Sequence, residues 1–410
     1  MIQKLENNKK ASLRYLSLDK VVVFLYALYT FRGAWLAFDH GGYLPWFELF
    51  SLMVAQICVP AGLLFCVKNR YFKSRNLILL IIPLFYWLLQ VFHTDGGYSG
   101  GWELSLITIA LFILIPDDIK KRVFALFYRM FLVAAVVSIL IWICYFAGIN
   151  IGFQRELYYS QRAIGWTYYY YRWFIFAIFN DRTLFRLCGL FNEPGALGTL
   201  CALLFICTNK KSKQWEKVIL IVTGVLTFSL AFFLLIFMYE AIKICLKRPR
   251  NILFVFLFVA LFFAIPHIDF HNELLNQTAA RFALTDSGLA GDNRVSGSFE
   301  IQYDAFIHSS DMWFGKGAGY DMGGANLSWK SHYIVPYGIV GTVVLLGIWL
   351  CAALSYGKGN REKIIYIFLF FASLYQRPAV IENILGYILL FGALVWMSNT
   401  TEGQSDVEAV

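Results

Sequence analysis

The chain repeats one feature from end to end: uninterrupted apolar runs long enough to cross a lipid bilayer. Residues 123–147 read VFALFYRMFLVAAVVSILIWICYFA, with a single arginine. Comparable stretches recur at about 21–38, 46–67, 77–93, 102–116, 190–208, 218–240, 251–266, 331–353, 364–376 and 380–398. They do not alternate as barrel strands would. In lipid, only helices and closed barrels satisfy their own backbones, so the pattern predicts helices. With 59% hydrophobic residues and 15% charged, the chain offers no separate soluble domain. The expectation is one all-α, polytopic membrane domain over residues 1–410, with about twelve transmembrane helices.

The charge distribution orients those helices. A net charge of +9 raises the question of nucleic acid. Yet Lys and Arg concentrate in short loops such as Lys68–Arg75, Asp117–Arg122, Asn209–Lys217 and Tyr356–Lys363. This is a positive-inside pattern, not a nucleic-acid footprint. Both termini then lie in the cytoplasm, and the membrane is of the bacterial inner type. Two long segments fall on the far side, 148–187 and 267–330. Within the second, Phe299–Ile307 reads as a short amphipathic helix. Within the first, arginines alternate with Tyr158, Tyr159, Trp166, Tyr168–Tyr171 and Trp173, which suits an interfacial belt or a sugar platform. The eight cysteines lie in or beside apolar runs and read as small hydrophobes.

The run 218–240 has basic loops on both sides, so both of its ends prefer the inner face. A hairpin of two helices breaking near Thr227-Phe-Ser229 reconciles them. Such a break is tolerated only where protein buries it or a cavity solvates it.

One stretch carries candidate chemistry: Arg186-Leu-Cys-Gly-Leu-Phe-Asn-Glu-Pro-Gly-Ala-Leu-Gly198. Pro194 starts a helix well, because its missing N–H would have been an orphan. Arg186 and Glu193 stand at the mouth of that helix, where ionisable groups are costly and often functional. The outer segments add Arg281, Arg294, Lys330 and Arg377. Arginine suits phosphate through bidentate, charge-assisted bonds. A diphosphate so gripped is a good leaving group, and Glu193 is placed to serve as base for an incoming hydroxyl. His332 is the second base candidate, although a lone His at a helix mouth is also an ordinary hydrogen-bonding residue. No Asp-x-Asp, Walker or Ser/His/Asp pattern accompanies these residues, so the site is expected to use no metal and no cofactor.

Taken together, several motifs resemble the O-antigen polymerase (Wzy) family. These are Arg186-x6-Glu193-Pro194 after an outer segment, the break at Thr227-Phe-Ser229, and Arg294 followed by Trp313-Phe-Gly-Lys-Gly-Ala-Gly319. Ser331-His332 before Gly338-Ile-Val-Gly341 completes the set. The resemblance implies a glycosyltransferase C-like fold and glycosyl transfer on the periplasmic face. It implies a donor glycan on undecaprenyl diphosphate, a lipid-linked repeat unit as acceptor, and a chain-length regulator as partner. Arg186, Arg281, Arg294, Lys330 and Arg377 would hold the diphosphate or substrate, with Glu193 and His332 catalytic. Two other readings stand beside it: a ligase that moves the glycan to lipid A–core, and a lipid-linked-sugar flippase.

Overall fold

The computed structural model describes residues 17–31, 45–69, 74–92, 102–159, 167–181, 184–191, 193–248, parts of 253–289, 297–317, 320, 322 and 328–398. The helices α1 (Leu18–Thr30), α2 (Pro45–Asn69), α3 (Ser74–Leu79), α4 (Ile81–Phe92), α5 (Trp102–Leu114) and α6 (Asp117–Phe146) precede a sheet. Its strands are β1 (Gln154–Tyr159), β2 (Thr167–Trp173), β3 (Phe176–Asp181) and β4 (Leu184–Gly189), paired antiparallel in chain order. Then come α7 (Pro194–Thr208), α8 (Gln214–Leu226), α9 (Leu230–Lys247), a two-stranded ladder β5 (Leu284–Thr285) and β6 (Gly288–Leu289), and α10 (Gly297–Ile307). A π-helical turn, Lys330–Ile334, leads into α11 (Val335–Gly357), followed by α12 (Arg361–Leu374) and the last helix α13 (Ile384–Trp396).

This corrects the twelve-span expectation. Among the described residues, two helices are long and apolar enough to cross a membrane: Asp117–Phe146 and Lys330–Gly357. Most of the other described apolar runs form shorter helices, and in the 25-residue α2 the apolar part is Gln56–Lys68. Helices of 12 to 15 residues such as α4 and α7 reach only about 18–22 Å at roughly 1.5 Å per residue, against about 30 Å of hydrocarbon. Counting runs therefore overcounted spans. Proline explains one shortfall: the run at 77–93 divides at Leu80, three residues before Pro83, whose ring clashes with the carbonyl of Leu79 one turn earlier.

The second correction concerns 148–187. It is not an irregular outer segment but the four-stranded meander, with Tyr169–Trp173 of β2 registered against Phe176–Asn180 of β3. β4 packs on α6 and α7, which fixes the sheet to one end of the bundle. The two terminal stretches expected to be cytoplasmic lie outside the described residues, as does much of 267–330.

Other expectations match the structure. The run 218–240 divides at Thr227–Ser229 into α8 and α9. α10 presents Phe299, Tyr303, Phe306 and Ile307 to a small apolar cluster with Ile334 and Val335. The main core is aromatic: Trp349 on α11 meets the Tyr387 ring edge-on at 5.0 Å and Phe370 at 5.9 Å. Tyr366 is fully buried and donates to the Leu389 carbonyl at 2.5 Å, inside the π-helical turn Ile388–Gly392.

Helix ends are closed in two ways. Asn360 and Asn383 cap the amides of α12 and α13. Carbonyl ends are met by lysines. Lys120, 1% exposed, donates to the Ile113 carbonyl at 2.9 Å across the α5–α6 turn. Lys363 does the same to Tyr356 at 2.9 Å across the α11–α12 turn. The separation is seven residues in both cases.

α11 bends at Gly338, whose backbone is non-helical (φ 65°, ψ −178°). The segment 313–317 docks into that bend: Val340 N–H donates to the Trp313 carbonyl, and the Lys316 and Gly317 amides donate to Val335 and Pro336. Gly315 lies against the backbone of Pro336 and Gly338, and Gly338 against that of Trp313 and Phe314, so closely that neither has room for a Cβ. Gly338→Ala should therefore lower unfolding stability by about 3 kcal/mol, since that backbone region is open essentially to glycine alone. Gly347→Ala, on the same helix with open space around it, should be neutral or gain up to about 1 kcal/mol. Thermal unfolding of the two purified variants checks the contrast.

Candidate functional site

Four parts of the chain meet at the sheet end of the bundle: the β4–α7 junction, the α8–α9 break, the α12–α13 tip and the π-helical turn before α11. β4 brings Arg186 in. In register it lies opposite Phe179, and it is 7% exposed. Its Nε donates to the Thr227 carbonyl at 3.0 Å and its Nη2 to the Phe228 carbonyl at 3.4 Å. These carbonyls are left open where α8 stops, so the guanidinium closes that helix.

The break itself is tightly built. Phe228 takes a left-handed φ of 46°, unusual for a bulky residue. Thr227 Oγ1 donates to the Gly224 carbonyl at 2.6 Å and accepts from the Ser229 amide at 3.2 Å. Gly198 lets α7 lie against this turn; a Cβ there would fall 2.6 Å from that of Ser229. So α7 and α9 start side by side, about one helical turn apart, and run the same way. Neither start is capped by a side chain. Both positive helix ends thus face one region, a setting that favours an anion.

Glu193 is the residue preceding α7, with extended backbone. Its carboxylate pairs with Nη1 of Arg377 from the α12–α13 tip. Arg377 is 14% exposed and Glu193 32%, so the pair is half-buried at a mouth rather than sealed. Gly195 makes room for it, because a Cβ there would collide with the Arg377 guanidinium. Tyr333 of the π-helical turn donates to the Pro378 carbonyl at 2.6 Å, and Trp329 faces Tyr375 at 6.3 Å. This sets His332, whose ring meets Tyr333 edge-on at 5.1 Å, on the turn that braces the tip.

Of the residues expected from sequence, Arg186, Glu193 and Arg377 are therefore brought together, and His332 sits on the adjoining turn. Lys330 goes elsewhere: its amine binds Glu300 on α10 at 2.8 Å and lies 4.9 Å from the Tyr303 ring. Arg281 and Arg294 fall outside the described residues.

One contributor escaped the sequence reading of roles. Arg172 on β2, 4% exposed, stands over the Tyr170 ring at 5.5 Å. Burial pushes the Cys188 thiol far above its ordinary range; Arg186 and Arg172 pull against that shift, and Glu193 adds to it. Two guanidiniums and one carboxylate thus act on the same buried thiol, which is held inert. The alternation Tyr170, Arg172 along a strand would have pointed to it, had 167–173 been read as β.

Comparison of the chain with protein-family profiles, curated proteins and solved structures finds no match.

The geometry assigns Arg186 a measurable structural duty. Arg186→Lys keeps a charge but loses the forked pair of bonds, and should cost about 1–3 kcal/mol of stability, as expected for buried carbonyls left short of a donor. Arg377→Lys, closer to solvent, should cost less. Denaturant unfolding of both variants in the same detergent measures the difference.

Proposed function

We propose that the protein is a membrane-embedded glycosyltransferase that joins polyprenyl-diphosphate-linked repeat units, an O-antigen or related polysaccharide polymerase. The observation that carries the reading is the Glu193–Arg377 pair, set beside Arg186 and two uncapped helix starts. Four features that favour an anion surround one carboxylate at the end of an apolar bundle. That is the electrostatic pattern a diphosphate leaving group requires next to a single base. Apolar helices and the basic opposite end, with Lys120, Lys211 and Lys363, support a bacterial inner membrane with the site on the far face.

In this mechanism a diphosphate oxygen competes with Glu193 for the Arg377 guanidinium. Charge-assisted bonds of this kind are strong enough to make the exchange favourable. Release of the pair frees the Glu193 carboxylate to take the proton of an acceptor sugar hydroxyl. The hydroxyl oxygen forms a bond to the anomeric carbon of the donor glycan. The bond from that carbon to the diphosphate oxygen breaks, and the electron pair leaves on the lipid diphosphate. Arg186 keeps the α8–α9 break in place, which keeps the α9 start aimed at the leaving charge. The substrate is a lipid-linked oligosaccharide, and a chain-length regulator is the natural partner.

A ligase that passes the glycan to lipid A–core is the second reading, favoured by His332 on the turn bracing Arg377's tip. Deletion separates the two. Loss of a polymerase leaves one repeat on core, whereas loss of a ligase leaves bare core.

Glu193→Gln should cut polymer formation by about 100-fold or more, the usual loss for a general base. The assay is gel analysis of products from purified protein and a defined lipid-linked repeat. Long ladders at the wild-type rate from Glu193→Gln would remove the base from this mechanism.

A further inference from the structure

The turn at 313–317 holds two apolar rings outward on a fixed backbone. Gly315 and Gly317 take φ of 83° and 96°, a region that glycine enters without strain. Hydrogen bonds pin the turn on both sides. Gly315 N–H donates to the Asp311 carbonyl at 2.7 Å, Lys316 N–H to Val335 at 2.8 Å and Gly317 N–H to Pro336 at 3.0 Å. Val340 N–H donates to the Trp313 carbonyl at 3.0 Å. Within this frame Trp313 is 52% exposed and Phe314 62%. Tyr320, also exposed, follows, and the Lys316 amine lies 4.9 Å from its ring.

The Val340 bond sets Trp313 at the head of an apolar face. Down α11, Val340, Val343, Val344, Leu350 and Leu354 are exposed, while Leu345, Trp349 and Ala353 on the other side are buried. Residues 340–354 include no charged side chain, and the exposed Lys358 ends the face. α6 repeats the pattern. Val133, Val136, Leu140, Ile143 and Phe146 are exposed, and the exposed Arg129 stands at one end. At the other end Trp142 meets Phe146 at 4.2 Å and donates to the Phe185 carbonyl of β4. Both aromatic ends therefore lie at the sheet end of the bundle. From Arg129 to Phe146 and from Val340 to Lys358 the rise is about 26 and about 27 Å, against about 30 Å of hydrocarbon. Two separate helices thus expose uncharged lengths of one size, each cationic at one end and aromatic at the other. Lipid matches that pattern, with Trp and Tyr at the headgroup level.

We propose that Trp313 and Phe314 are an interfacial anchor: they enter the bilayer at the headgroup boundary and set the depth of the Glu193–Arg377 mouth. The link to the mouth is short. The turn is bonded to Val335 and Pro336, which directly follow the π-helical turn, and Tyr333 of that turn holds Pro378 beside Arg377. The anchor rests on the membrane reading above, and the test separates the two.

The test uses the full chain in phosphatidylcholine nanodiscs. Emission of the wild type minus that of Trp313→Phe isolates the Trp313 indole. Lipid brominated near the headgroup end of its acyl chains should quench most of this difference. Lipid brominated near the chain end should quench less, and aqueous iodide little. Phe314→Trp adds a ring at the next position and should add emission quenched in the same order. Across nanodiscs of rising acyl-chain length the wild-type thermal midpoint should pass through a peak. Trp313→Ala combined with Phe314→Ala should flatten that peak and leave the midpoint in detergent unchanged. Quenching of Trp313 by iodide and by neither brominated lipid would overturn the anchor, as would an unaltered peak in the double variant. If bromine still quenches the other tryptophans in that case, the membrane reading stands and the anchor alone fails. A chain that is monodisperse without detergent and untouched by brominated lipid would end both.

Discussion

A helix that stops inside apolar surroundings leaves its last carbonyls with nothing to accept from, and the bundle depends on how that need is met. At four helix ends the answer is a cation. Lys120 closes α5, Arg186 closes α8, Lys363 closes α11 and Lys211 closes α13. A cation at a helix C-terminus also meets the negative end of the macrodipole, so one side chain satisfies two demands. Short helices become possible because their ends are chemically closed. This is why the chain can break the apolar run at 227–229 without exposing backbone to an environment that cannot solvate it, while the bend at 338 is met by the amides of Lys316 and Gly317.

The candidate site grows from the same device. Arg186 is drawn in by the open end of α8, and closing that end fixes where α9 begins. The start of α9 then lies beside the start of α7, held there by Gly198. Glu193 and Arg377 meet at the lip of this assembly because Gly195 leaves space and the Tyr333–Pro378 hydrogen bond holds the tip. The positive character of the site thus comes from architecture as much as from side chains. Moving any one of these parts would shift the charge that the proposed leaving group must meet.

What could be read in advance follows from how local each signal is. The α8–α9 break was legible because basic loops flank the run on both sides and cannot both be satisfied by a single crossing. The α7 start was legible from Glu193-Pro194. The sheet was not. Its aromatic and arginine alternation suits an interfacial belt or a sugar platform as well as a strand, and the pairing partners are known only after folding. The number of spans was overcounted, because a run of apolar residues reports hydrophobicity and not continuity. Pro83 interrupts a helix through backbone geometry that composition averages away. The partnership of Arg377 with Glu193, 184 residues apart, has no sequence signal at all. Neither does the diversion of Lys330 to Glu300.

The matching turns at Ile113–Lys120 and Tyr356–Lys363 carry a lesson beyond this molecule. Each is an eight-residue corner in which an ammonium, planted in the opening turn of one rod, seals the rod before it. Nothing in either corner refers to the catalytic question, and the two sit in unrelated sequence. Such a corner should be portable. Grafted between other oily rods, it would let a designer fold an apolar chain back on itself in eight residues, using one lysine as the hinge pin.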